Sequence, residues 1–152
     1  MIQRIQTIYL AIALISVACC LFFPYGSYLH FDEEYTFNSI PFLFGKDSST
    51  AIYAETICIY LSIILTALAI FNFKNRKRQQ FINKLNFVII LFLIALMLAG
   101  FSRIKSKLNL VPEDISFEVG LFLPLIALVA IIMAYRAIKK DEDLIKSMDR
   151  IR

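Results

Sequence analysis

A single histidine and three cysteines leave this sequence little scope for metal or thiol chemistry. Cys19, Cys20 and Cys58 all lie in apolar stretches, so none can staple a polar external loop. No C-x-x-C pair occurs, and His30 has no second histidine with which to share a zinc ion. The four glycines, Gly26, Gly45, Gly100 and Gly120, stand singly, which excludes a glycine-rich phosphate loop. Acyl-transfer chemistry would need His30 as base from a loop, and no nucleophile elbow is present. The expectation is a protein that is not an enzyme, with no catalytic residue, cofactor or metal.

Charge is scarce where a transport mechanism would need it. The apolar residues gather in four blocks, and no Asp, Glu, Lys, Arg or His lies deep in any of them. Proton relays, ion-coupled carriers and voltage sensors use such groups near the membrane midplane. Glu55, Glu118 and Arg136 fall at block edges, and Asn72 and Asn86 near block ends.

What the sequence has instead is oil. Its hydrophobic fraction is 59% and its mean hydropathy +0.71, against about 45–50% apolar residues in soluble domains. A helix needs about 20 apolar residues to cross ~30 Å of hydrocarbon. The sequence predicts an all-α membrane protein, a four-transmembrane-helix bundle forming one domain over 1–152, with spans near 5–23, 53–73, 82–101 and 118–136. The third span reaches back through Ile82, with Lys84 extending to the headgroups. Pro124, one turn inside the fourth, predicts a mild kink. Ser16-Val17-Ala18-Cys19 loosely matches a lipoprotein cleavage site. Serine is poor at its leucine position, however, and the block exceeds the roughly 7–15 residues of a signal core, so the block is read as retained.

Lysine and arginine set the orientation. A net charge of +4 and a pI near 9.0 do not point to nucleic acid, because the bases collect at block ends without interleaved aromatics. With both termini in the cytoplasm, twelve bases lie inside and four outside, as the positive-inside rule requires. The outside exceptions are Lys46, Arg103, Lys105 and Lys107. The expected address is a bacterial inner membrane, with lipids as one partner.

The outer loops, 24–52 and 102–117, are long enough to carry structure. Phe31, Tyr35 and Phe37 alternate with polar residues in the first. In the second, Ile104, Leu108 and Leu110 fall at period two opposite Arg103, Lys105 and Lys107, followed by a turn and a return strand at 115–117. This predicts a small antiparallel β-sheet from both loops, bringing Asp32, Glu33 and Glu34 towards Arg103, Lys105 and Lys107 as an outer contact face. The acidic run lacks the glycine-turned loop of a calcium site. Inside lie a loop at 74–84 and a tail at 137–152, the latter reading as an amphipathic helix that continues the fourth span into the cytoplasm or bends to lie on the headgroups. Its charged residues Lys139, Lys140, Asp141, Glu142, Asp149, Arg150 and Arg152 are candidates for docking a partner. Ala95 with Ala99, and Ala127, Ala130 and Ala134, would allow close helix contact.

Several stretches are similar to one family of small membrane proteins. They are the opening Met1-Ile2-Gln3-Arg4-Ile5-Gln6-Thr7, Lys74 to Gln79, Leu123-Pro124, Arg136 to Glu142, and the closing Ser147 to Arg152. On these the chain resembles domain-of-unknown-function family 4293. The resemblance implies four spans in a Bacteroidota-type inner membrane and brings no activity. The expected function is that of a non-enzymatic accessory or scaffold subunit bound to another membrane or cytoplasmic protein. The alternative is a small transporter or channel subunit, its pore polarity supplied by Ser16, Ser62, Thr66 and the backbone at Pro124. An enzyme acting on lipid through the acidic outer loop is the weakest reading.

Overall fold

The structure, a computed structural model, describes residues 2–30, 33–39, 50–73, 75–108 and 115–151. Side chains are described at 5–28, 35–39, 53–73, 75–103, 105–106 and 115–144. Four helices hold most of these residues: α1 (Ile2–Cys19), α2 (Thr50–Phe71), α3 (Arg76–Leu108) and α4 (Leu123–Ile151). Three stretches are long and apolar enough to cross a membrane, Tyr53–Phe71, Arg76–Arg103 and Val119–Leu144, and α1 adds the shorter Ile5–Cys19. The helices pack in a ring, each against its sequence neighbours, and α4 closes back on α1.

Buried positions explain the ring. Among them are Gln6, Leu10, Ala13 and Val17 on α1, with Cys20 just past its end, and Glu55, Ile59, Ser62, Thr66 and Ala69 on α2. On α3 they include Gln79, Asn83, Asn86, Ile90, Leu93 and Met97, and on α4 Ala127, Ile131, Ala134, Ile138 and Asp141. Steps of four and three alternate along all four helices. This 3.5-residue period keeps one seam of each helix facing inward. Much of the seam is small or polar, whereas Ile8, Ile15, Ile57, Ile64, Val88 and Val129 point outward and are exposed. Water would penalise that arrangement heavily, and hydrocarbon would not.

Two sequence expectations need correction here. The second outer loop does not begin with a strand, because α3 continues through Ser102, Arg103, Lys105 and Lys107 to Leu108. Extending an existing helix needs no new nucleus, and no glycine or proline intervenes before Pro112. Ser102 Oγ and Arg103 Nε donate back to the carbonyls of Leu98 and Ala99 at 3.3 and 3.2 Å. Ile104 and Leu108, read as alternate strand positions, are equally i and i+4 of a helix. Pro124 does not interrupt a helix either. A 3-10 turn spans Val119–Leu121, and α4 starts at Leu123, so Pro124 lies in the first turn, where its missing N–H costs nothing.

A three-stranded antiparallel sheet caps one end, in the order β2-β1-β3, with β1 at Gly26–His30, β2 at Glu33–Phe37 and β3 at Ile115–Phe117. The strands come from both outer loops, and β3 matches the expected return strand. The central strand β1 begins with a glycine for a packing reason. Gly26 pairs with Phe37 on one side and Phe117 on the other. A Cβ on it would lie 2.4 Å from the Phe101 ring. Phe101 of α3 fills the vacant space, its centroid 4.9 Å from Phe37 and 5.2 Å from Phe117. The sheet is thereby keyed onto α3 by aromatic contact. Ser39 adds a second tie, its carbonyl accepting the Thr56 hydroxyl of α2.

Candidate functional site

Polar side chains meet at three levels of the helix ring. At the sheet end, Glu55 is 1% exposed although it stands near the start of α2. The sequence placed it at a solvated edge; the sheet and its aromatic residues cover that edge. Tyr25 donates its hydroxyl to the Glu55 carboxylate, and Tyr25 stacks on Phe37 and meets Phe101 edge-on, both at 5.6 Å. Burial, then the Glu55 charge and hydrogen bond, push the Tyr25 phenol far above its ordinary value, with Arg103 opposing. Tyr25 is therefore a permanent donor. The other carboxylate oxygen, Oε2, and the buried Ser39 hydroxyl have no partner among the described residues. Tyr25→Phe should cost about 1–2 kcal/mol of stability through the stranded acceptor. A double-mutant cycle with Glu55→Leu should recover part of that loss, and strictly additive losses would show that the pair is uncoupled.

At mid-height Asn86, expected near a helix end, is fully buried. Ser62 Oγ donates to its Oδ1 at 2.7 Å, and its Nδ2 donates to Thr66 Oγ1, also at 2.7 Å. Thr66 completes the set by donating to the Ser62 carbonyl. This trio bolts α3 to α2. One turn away, both polar atoms of Asn83 are buried without a partner among the described residues. Interhelical bonds in a membrane are worth about 0.6 kcal/mol on average and up to about 2. Asn86→Leu should therefore lower the unfolding free energy in bicelles by about 1–2 kcal/mol, while Asn72→Leu, whose side-chain amide bonds the Leu68 carbonyl of its own helix, should shift it by less than about 0.5 kcal/mol.

At the far end Asp141 gathers three helices. Its Oδ2 accepts from Gln6 Nε2 of α1 at 3.1 Å and lies 3.6 Å from Arg76 Nη2 of α3. Gln6 also reaches the Ala137 carbonyl, and Arg76 the Asp141 carbonyl. Glu142 accepts from Gln80 at 2.6 Å, and Gln79 donates to the Ala69 carbonyl of α2. Lys84 sits 5.6 Å from the Tyr135 ring centroid, a cation–π contact between α3 and α4.

The tail candidates thus divide. Asp141 and Glu142 turn into the helix ring, while Lys139 and Lys140 are exposed and line a cleft with Arg136, Asp143 and Leu144. Asp149 and Arg150 continue α4 with side chains outside the described set, and Arg152 lies outside the described residues. Of the outer candidates, Arg103 and Lys105 are exposed on α3, and Glu33 and Glu34 lie on β2. The side chains of Glu33, Glu34 and Lys107 are outside the described set, as is Asp32 altogether.

Apolar helices of membrane-spanning length, joined by internal polar contacts and capped by a sheet, define a small membrane-type helical protein. The chain belongs to the family described as a domain of unknown function (DUF4293), whose model matches residues 2–151. No curated protein and no solved structure matches the chain.

Proposed function

We propose that this protein is a four-span subunit of a bacterial cytoplasmic membrane, with both termini in the cytoplasm, that serves as a non-enzymatic accessory or scaffold for a protein assembly. The observation that supports it is the use of the buried polar groups: Ser62, Asn86 and Thr66, and Gln6, Arg76 and Asp141, bond helix to helix. Such contacts fix a shape rather than bind a solute. The charged stretch of sequence after Asp143 remains the candidate for a cytoplasmic partner. Purification of a tagged copy in mild detergent should bring down stoichiometric partners, and truncation after Asp143 should release a cytoplasmic one without blocking insertion. A monodisperse monomer with no companion would sink the reading. Reporter fusions at either terminus test the orientation, and a periplasmic signal from one would overturn it.

A second reading, a small transporter or channel subunit, draws on Glu55 Oε2 and both polar atoms of Asn83, which lie buried without a partner among the described residues. Buried groups of this kind are commonly met by water or a passing solute. Solute flux across liposomes that is abolished by Glu55→Gln would favour it over the first.

A further inference from the structure

Two concavities follow one another along the outward face of α4. The first is an apolar groove of about 410 Å³ between α1 and α4, lined by Tyr9, Ile12, Ile126, Val129 and Met133 among others. The second is the cleft of about 420 Å³ lined by Arg136, Lys139, Lys140, Asp143 and Leu144. Met133 closes the first and Arg136 opens the second, so less than one helical turn separates them. Gln6 bonds the Ala137 carbonyl, which sets the antiparallel register of α1 and α4 and places Tyr9 beside the junction.

An apolar trough running into a cluster of three cations and one carboxylate matches the amphiphilic outline of a single lipid molecule. We infer that this face holds one anionic phospholipid of phosphatidylglycerol type. An acyl chain lies against Ile12, Ile126, Val129 and Met133. The phosphodiester faces Arg136, Lys139 and Lys140, and Asp143 accepts from a glycerol hydroxyl of the headgroup. Zwitterionic lipid fits worse, because its choline cation would be brought against three like charges. A soluble phosphate ester fits worse too, because half of the site is a groove for hydrocarbon. The inference rests on the reading of α4 as a membrane span whose far end meets the headgroup layer.

Native mass spectrometry of the full chain, released from nanodiscs of equal phosphatidylglycerol and phosphatidylcholine, tests it. The wild type should retain one phosphatidylglycerol in clear preference to phosphatidylcholine, with no displacement by excess glycerol 3-phosphate. Replacing Arg136, Lys139 and Lys140 together with glutamine should lower that retention at least about tenfold, since each base near an anionic surface contributes roughly fivefold. Val129→Trp, which fills the groove and spares the charges, should also weaken retention. Equal retention of the two lipids by the wild type would overturn the inference without any variant. So would unchanged phosphatidylglycerol retention by the triple-glutamine protein. Failure of the membrane reading is seen separately, as a chain that never enters the nanodisc.

Discussion

Replacing Gly120 with alanine is expected to leave little folded protein, whereas the same change at Gly100 should be neutral or stabilising. Gly120 lies in the 3-10 turn that delivers the chain from β3 into α4. Its N–H donates to the Pro24 carbonyl at 2.9 Å, and Glu118 N–H reaches Tyr25 O at 3.2 Å. These two bonds prolong the β1–β3 pairing back towards the end of α1. A Cβ on Gly120 would stand 2.4 Å from Pro24 O and 2.7 Å from Phe23 O. Both obstacles are backbone, so no rotamer relieves them. The segments must part, and the hydrogen bonds go with them. Overpacking costs about 1–3 kcal/mol where side chains can yield; rigid backbone plus two lost bonds should exceed ~3 kcal/mol, a large share of a typical stability of about 5–15 kcal/mol. At Gly100, mid-helix in α3, the new Cβ would lie 3.4 Å from the Tyr25 hydroxyl and 3.7 Å from Glu55 Oε1. That is ordinary contact, and alanine is favoured over glycine within a helix by about 1 kcal/mol. Size-exclusion profiles of fluorescent fusions in detergent, with thermal midpoints, check both. A monodisperse Gly120→Ala protein of unchanged midpoint would show that the turn is not the tight junction described.

The apolar blocks were legible because hydropathy needs no tertiary information. Their inward faces were harder to read, for a physical reason. In water the apolar stripe of a helix marks its buried side; here large aliphatics such as Ile15, Ile57 and Val88 face out, and the seam carries the small and polar residues. The usable signal was the spacing of the polar exceptions. Glu55, Ser62 and Thr66 stand seven and four apart, and Gln79, Asn83 and Asn86 four and three apart. Taken one at a time, Asn86 read as a residue near a span end and Glu55 as a solvated edge. Taken together, they trace the heptad seam. The return strand at 115–117 could be anticipated from Pro112 and the β-favouring residues beyond it. The segment 102–108 could not, because Ile104 and Leu108 fit period two and period 3.6 alike, and continuity with α3 decided the outcome. Nor could the sequence show that Asp141, read as part of an exposed charged tail, is held by Gln6 and Arg76 from two distant motifs.

That junction gives the other large effect. Asp141 keeps only 9% side-chain exposure and Arg76 25%, so the two ends of the ion pair are unequally placed. Arg76→Met should be the more damaging single change, because it leaves a buried carboxylate with Gln6 as its remaining side-chain partner among the described residues. Breaking a buried pair from one side costs about 3–5 kcal/mol, and partial access of Arg76 to water puts this case near or below the lower figure. Asp141→Asn keeps an oxygen acceptor for both Gln6 and Arg76 and gives up only the charge, so a loss of about 1–2 kcal/mol is expected. In the double variant Arg76→Met with Asp141→Leu no charge is stranded, and stability should recover above that of Arg76→Met alone, as when a buried ion pair is replaced by packed apolar groups. The order expected from denaturation in bicelles is wild type, then Asp141→Asn, then Arg76→Met, with the double variant above the last. Arg76→Met no worse than Asp141→Asn, or a double variant worse than either single, would mean that Asp141 is solvated. The same measurement bears on the scaffold reading. If Asp141 locks α1, α3 and α4 together, its loss should loosen the geometry at the base of the tail, and partner recovery should fall with stability even though the charged stretch after Asp143 is untouched.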